Sequence, residues 1–309
     1  VTSAPDSSLT PDRFVEALTR WYRVHRRDLP MRRDDVSPWG SVVFEVMSQQ
    51  TPIPRVQPIW ERWMMLWPTP ADLAAADTSA VLVEWKTLGY PSRALRLKEC
   101  AAAISARPGG QVPADIEALM SLPGIGPYTA SAVASFQFHA RVPVLDTNVR
   151  RVFARVLDGQ EFASRGAPTK GEIARATHFL PEDGAACARW NVAIMEFGAI
   201  TCTQRRPHCD SCPIRSACQW AHLGFPRAET RPKGQEWKGT DRQARGRVLA
   251  ALRLLHEDGQ AHPSMTQAEA LTAATLPGAP PDQAARVVDG LVRDGLLRHD
   301  PETLRYSLP

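Results

Sequence analysis

Four cysteines, Cys202, Cys209, Cys212 and Cys218, fall within seventeen residues in the spacing C-x6-C-x2-C-x5-C. No other feature restricts the fold of this chain so tightly, because thiols this crowded point to a metal centre that pins the loop between them. A four-cysteine set can hold zinc or an iron–sulfur cluster. Structural zinc prefers cysteine pairs separated by about two to four residues. The six residues between Cys202 and Cys209 suit it less well. The other two cysteines, Cys100 and Cys187, stand in alanine-rich helical stretches where a buried free thiol is expected. The set is therefore no disulfide framework, and a reducing cytoplasm is the expected setting.

At 309 residues the chain can bury a large core and divide into two or three domains. It carries no run of about eighteen apolar residues and no basic-then-apolar start, so neither a membrane span nor a signal peptide is expected. A net charge of +4 is compatible with a polyanionic partner but says little alone. More telling are the arginine doublets Arg26–Arg27, Arg32–Arg33, Arg150–Arg151 and Arg205–Arg206, each beside a motif described below. Residues 1–10 are rich in Ser and Pro and read as disordered. From Asp12 helix follows helix: Phe14, Leu18, Trp21 and Tyr22 share one face. Further helices are predicted over 42–50, 56–66, 70–76, 78–88, 92–106, 115–121, 128–138, 148–157, 170–180 and 186–197. After Trp220 the stretch 225–240 is polar and aperiodic, a linker. Helices over 243–257, 266–274 and 281–293 and a hairpin over 296–308 then suggest a small winged-helix-like module.

Two motifs precede the cysteines. Leu122 to Tyr128 reads LPGIGPY and opens a helix. Its glycines let the backbone turn tightly and present amides at a helix N-terminus, a nest for phosphate. The plainer alternative is a glycine-rich helix connection. Val144 to Arg151 reads VLDTNVRR. Asp146 there can be a helix cap or an acidic group at a reactive site.

Taken in order, a helix–hairpin–helix turn, an aspartate before a helix and the cysteine loop resemble the helix-hairpin-helix superfamily of DNA glycosylases, from Phe14 to Trp220. Within it the chain resembles the adenine DNA glycosylases of MutY type. The segment FEVMSQQT from Phe44 resembles their S-E-x-M-L-Q-Q-T helix, RDLPMR from Arg27 their R-D-L-P-W-R, Leu88–Tyr90 their L-G-Y-Y, and EFGA from Glu196 their E-x-G-A. The resemblance implies a mainly α, two-lobed helix-hairpin-helix glycosylase fold with a 4Fe-4S cluster loop. It implies a six-helix barrel domain over 33–138 and a cluster domain over 11–32 and 139–222. A linker over 223–240 and the winged-helix-like module over 241–309 would follow. Double-stranded DNA is the implied partner of a monomeric, cytoplasmic and nucleoid-associated enzyme of bacterial type.

By the same resemblance Glu45 is the acid that protonates purine N7, a role that needs a carboxyl made more basic by burial. Asp146 would stabilise the cationic sugar, as in the two-carboxylate chemistry of glycosidases. Asn148, Tyr128 and Glu196 would orient these groups and the water. Met31, Arg32 and Ser48 would line the pocket for the extruded base. Gln50 and Tyr90 would wedge into the gap it leaves. Gly124, Gly126, Arg150 and Arg205 would contact DNA, and Cys202, Cys209, Cys212 and Cys218 would hold the cluster. Tyr128 stands where strand-cleaving relatives carry a lysine, so base excision without efficient strand cleavage is expected.

The chain departs from the family at Met31 for tryptophan, Ser48 for leucine and Pro91 for the second tyrosine. Local repacking accounts for these as readily as a widened pocket for an N6-substituted adenine, N6-methyladenine being the simplest. Nothing after Trp220 resembles the Nudix-like domain of longer adenine glycosylases that reads 8-oxoguanine. The competing readings are an endonuclease III-like pyrimidine glycosylase/lyase, opposed by Tyr128 and Glu45, and a catalytically silent DNA-binding protein, opposed by retention of both carboxyls.

Overall fold

The computed structural model of the chain describes residues 10–230, 234, 236–258 and 263–309. In chain order the helices begin with α1 (Pro11–His25), α2 (Pro38–Ser48), α3 (Ile53–Leu66), α4 (Pro70–Ala75) and α5 (Thr78–Glu84). Next come α6 (Ser92–Ser105), α7 (Ile116–Met120), α8 (Pro127–Phe138), α9 (Thr147–Asp158) and α10 (Lys170–His178). They are followed by α11 (Gly184–Ile200), α12 (Gln219–His222) and α13 (Asp241–Glu257). The strand β1 (Ser264–Thr266), α14 (Gln267–Ala274), α15 (Gln283–Arg293), β2 (Arg298–Asp300) and β3 (Arg305–Ser307) complete the described elements. Many helix starts are local chemistry. Thr69, Thr169 and Thr266 each form a reciprocal box with the acidic residue three positions on, satisfying amides that would otherwise lack partners.

The described residues divide into two compact units. One takes those of Val1–Ser41, Pro113–Ser121 and Ile125–Pro232; the other takes those of Val42–Val112, Leu122–Gly124 and Lys233–Pro309. In the first unit α11 packs against α1, α8 and α9. Phe14, Leu18 and Trp21 line one face of α1 and are buried. The Phe14 ring meets Phe179 at 5.5 Å and Trp190 at 5.3 Å, both edge-on, as aromatic quadrupoles favour. In the second unit α4 and α5 pack on α6. Trp63 sits edge-on to Trp67 and Trp85 and donates its indole N–H to the Glu84 carbonyl at 3.1 Å. A large ring is thereby buried without stranding its one donor. The same unit contains α13, α14 and α15, which pack on one another beside an antiparallel sheet of order β1–β3–β2. Tyr306 at its centre faces Met265 on one side and His299 on the other.

Several boundaries differ from the sequence reading. The helix predicted over 42–50 starts four residues earlier and stops at Ser48, and the one predicted over 78–88 stops at Glu84. Both end where the chain turns left-handed, at Gln50 (φ 54°) and Lys86 (φ 47°). The strand β1 has no counterpart in the sequence reading, since three residues are too few to display alternation. The expectation for residues 1–10 lies outside the described residues except for Thr10, which caps α1. The 225–240 linker lies partly outside them. Cys100 and Cys187 are buried free thiols, as expected. Among the described residues no helix is long and apolar enough to cross a membrane.

Candidate active site

Asp146 ends an extended approach and caps α9. One carboxylate oxygen accepts the Val149 amide at 2.7 Å; the other accepts the Asn148 side-chain amide at 2.6 Å. The Asn148 side-chain oxygen Oδ1 in turn accepts from Arg151 at 2.9 Å. Burial is the largest influence on the Asp146 carboxyl and raises its pKa; the Val149 amide, Asn148 and the Arg151 charge act in the opposite sense. The carboxyl is thus partly desolvated and held in place by fixed donors. Arg151 also donates to the carbonyls of Gly198 at 2.5 Å and Cys202 at 2.9 Å. One guanidinium therefore ties the Asp146 network to α11 and to the first cysteine. α11 comes this close because residue 198 is glycine. A Cβ there would lie 2.8 Å from both the Cβ and the carbonyl oxygen of Asn148.

Glu196, just before that glycine on α11, is fully buried. Its Oε1 accepts from Arg27 Nε at 2.7 Å and from the Arg27 backbone amide at 3.2 Å. Its Oε2 accepts from Arg27 at 2.8 Å and Arg32 at 2.7 Å. Burial alone would make this carboxyl weaker, but the Arg27 hydrogen bonds and both guanidinium charges override it and pull its pKa down to about 2. Both oxygens of Glu196, the residue expected to orient groups and water at the site, thus accept from arginines, and the residue positions Arg27 and Arg32. Arg32 also reaches the sulfur of Met195 at 3.8 Å, and Met31 is buried beside it in sequence. Tyr128 is half-buried and packs against the aromatic core of its unit.

Glu45 belongs to the second unit. It is 5% exposed on α2, where Val42, Val43, Phe44, Val46 and Met47 are also buried, so the helix is apolar nearly all round. The Ser48 hydroxyl donates back to the Glu45 carbonyl at 3.1 Å. Past the end of α2 the backbone is organised by Arg93. Its Nη1 donates to the carbonyls of Val46, Met47 and Gln49 at 2.9, 3.1 and 2.6 Å. Its Nη2 donates to the Thr51 hydroxyl and to the carbonyls of Leu88 and Gly89 at 3.0–3.1 Å. Burial lowers the Arg93 pKa to about 10. Arg93 thereby draws together the loops bearing Gln50 and Tyr90, the two residues expected to wedge into DNA. Both hold left-handed backbone, φ 54° and 47°, a cost that persists only where surroundings impose it.

The hairpin between α7 and α8 turns at Gly124 (φ 76°), where a Cβ would lie 3.0 Å from the Cβ of Arg96. Gly126 caps α8 without a side-chain acceptor and Pro127 occupies the first turn. Leu122 and Ile125 are buried while Gly124 is exposed.

Cys202, Cys212 and Cys218 pack against the core of the first unit. Arg155, 1% exposed, organises their loop: it donates to the carbonyls of Glu161, Thr203 and Gln204 at 3.0, 2.7 and 3.1 Å and to Cys202 Sγ at 3.4 Å. The Trp220 ring lies 4.5 Å from its guanidinium. Burial, and then the charges of neighbouring cysteines, raise the thiols of Cys209 and Cys212, the latter to about 12. Among the described residues no group of three or more His, Cys, Asp or Glu is drawn together as a single-ion site. As a donor set, four cysteines on one loop are the residue type that iron–sulfur clusters take.

Arg150 requires a further correction. Expected on DNA phosphate, it is buried, pairs with Glu172 at 2.9 Å, and donates to the carbonyls of Gly166 and Ser164. Arg27, Arg32 and Arg151 are likewise committed inside the fold, so of the doublets Arg205 and Arg206 present an exposed pair. Arg93 and Arg155 escaped the sequence reading. Arg93 had a signal: a cation in the first turn of a helix opposes the helix dipole and implies another duty.

Residues 43–178 match the HhH-GPD superfamily of base excision DNA repair proteins. The chain is 44% identical over 309 residues to the adenine DNA glycosylase of Mycobacterium tuberculosis, covering 99% of this chain and 97% of that protein. It is also 44% identical over 294 residues to the adenine DNA glycosylase of Mycolicibacterium smegmatis, covering 95% of each. Among solved structures, a thermostable thymine-DNA glycosylase matches with a TM-score of 0.63 at 27% identity, covering 69% of this chain and 97% of that one.

Proposed function

The chain belongs to the adenine DNA glycosylases, within the HhH-GPD superfamily of base excision DNA repair proteins, and on that premise we propose that it hydrolyses the N-glycosidic bond of an extruded adenine in duplex DNA without efficient strand cleavage. Adenine opposite 8-oxoguanine or guanine is the proposed substrate. Glu45 gives a proton to purine N7, which improves the leaving group. The C1′–N9 bond breaks with its electron pair leaving on the base. The Asp146 carboxylate meets the positive charge that develops on the sugar, gaining more from it than a fully hydrated anion would. Water adds to C1′ and loses its proton to that carboxylate, and solvent resets both carboxyls.

Asn148 and the Val149 amide hold Asp146 through this sequence, and Arg151 holds Asn148. That connected network is the observation that carries the proposal. Arg32, braced by Glu196, contributes to the base site with Met31 and Ser48. Gln50 and Tyr90 fill the gap in the stack. The amides of the first turn of α8, together with Arg205, hold phosphate. Cys202, Cys209, Cys212 and Cys218 would hold a 4Fe-4S cluster that cross-links the loop bearing Arg205 and Arg206, and no step of the hydrolysis passes through it. The module over 241–309 is read as winged-helix-like.

Single-turnover excision with alkaline work-up tests this. Strand breaks should appear only after alkali, and Glu45→Gln and Asp146→Asn should each lower the rate by roughly a hundredfold or more. Parental rates in both variants would overturn the assignment. A second reading, a pocket accepting N6-methyladenine, draws on Met31 and on Ser48, whose hydroxyl is bound to its own helix. Preference for N6-methyladenine opposite thymine, reversed by Met31→Trp with Ser48→Leu, would establish it. Activity on plain adenine alone would remove it, since one methyl is worth only about 1–3 kcal/mol in a pocket.

A further inference from the structure

We propose that Arg242, on the first turn of α13, is a positioning residue for Tyr90, so that the module over 241–309 acts in DNA distortion through the wedge tyrosine. Arg242 Nη1 donates to the Tyr90 phenol oxygen at 2.7 Å, while its Nη2 donates to the Glu236 carbonyl at 2.8 Å. Its guanidinium lies 5.8 Å from the Tyr90 ring and 5.2 Å from the Trp237 ring. Arg93 approaches the same tyrosine ring at 5.6 Å, so two cations flank one phenol. Three turns further along α13, Arg253 donates to the Lys86 carbonyl at 2.5 Å. One helix therefore grips both ends of the loop from Lys86 to Tyr90. Within that loop Lys86, Gly89 and Tyr90 all hold left-handed backbone. Such a loop keeps its shape only if its surroundings impose it, and α13 supplies two of the restraints.

The charge of the module points the same way. Residues 241–309 carry eight Arg or Lys against nine Asp or Glu, which gives no electrostatic footprint for an independent duplex-binding module. Several of its basic residues are committed to partners inside the module: Arg286 pairs with Asp241 and Asp282, and Arg245 with Asp294.

The inference rests on the reading of Tyr90 as the residue that enters the stack. It is tested on the full chain, with a duplex carrying adenine opposite 8-oxoguanine and 2-aminopurine beside the target. Arg242→Ala, Arg242→Lys, Tyr90→Phe, Tyr90→Ala and the double variant Arg242→Ala/Tyr90→Phe are compared at saturating protein. Arg242→Ala should lower the unstacking amplitude and the excision rate by about tenfold, the scale of a hydrogen bond from a charged group. Arg242→Lys should recover most of the loss, and Arg242→Ala should cost much less once Tyr90→Phe has removed the acceptor, only the ring contact then remaining to be lost. A merely structural role would lower thermal stability and leave the two effects additive. Additivity, or parental unstacking in Arg242→Ala while Tyr90→Ala is impaired, would overturn the inference and spare the wedge reading. Parental behaviour of Tyr90→Ala would bring down both.

Discussion

At Asp146 the carboxyl pKa is raised by burial and lowered by its donors, and in the proposed mechanism that balance sets where activity begins on the pH axis. The group must be ionised to meet a cationic sugar, so the acid limb of the single-turnover rate should lie above the ordinary aspartate range. Asn148→Ala removes a bond that favours the ionised form. It should move that limb to still higher pH and slow excision by about tenfold, which a pH–rate profile checks. Glu196 shows the reverse sign. Its folded-state pKa is near 2 against an ordinary 4.5. The stability its ion pairs contribute is complete above about pH 4.5 and is lost as pH falls toward 2. Glu196→Gln should cost about 3 kcal/mol at pH 7, because it leaves Arg27 and Arg32 without a counter-charge. Urea unfolding should show the gap between variant and parent shrinking at pH 3.

Between elements, small residues permit close approach and long ones hold it. α11 lies against the start of α9 only because Gly198 has no side chain. Gly198→Ala should force the helices apart at about 1–3 kcal/mol and displace Asn148. Melting temperature and excision rate should then fall together, and reduced stability with an unchanged rate would show that Asn148 is not held this way. Arg93 binds five carbonyls across two loops. Lysine has no planar fork with which to replace it. Arg93→Lys should therefore loosen the loops of Gln50 and Tyr90, seen as faster amide exchange at Leu88–Tyr90, while Glu45 keeps its place on α2.

For the whole molecule the governing partner is a polyanion, and salt dependence reports which cations meet it. Removing Arg205 or Arg206 should reduce the slope of log affinity against log salt by about 0.9 for each phosphate left without its cation. Arg150→Ala should leave that slope unchanged and lower stability by about 3 kcal/mol, since its charge is committed to Glu172. Fluorescence anisotropy across a salt series separates the two. Much of this architecture is legible in the sequence: apolar spacing places the helices, threonine–acid pairs place several of their starts, and cysteine spacing marks the loop. Those signals act within a few residues, the range over which a helix turn or a cap is decided. The arginines are legible as charges but not as partners. Arg27 meets Glu196 from 169 positions away and Arg93 reaches the end of α2 from 44 or more. Packing chooses between such remote partners, because a buried guanidinium must find acceptors wherever the folded backbone happens to expose them. Only the tertiary structure could turn Arg150 inward, pair Glu196 with two arginines, and set Tyr90 under the hand of Arg242.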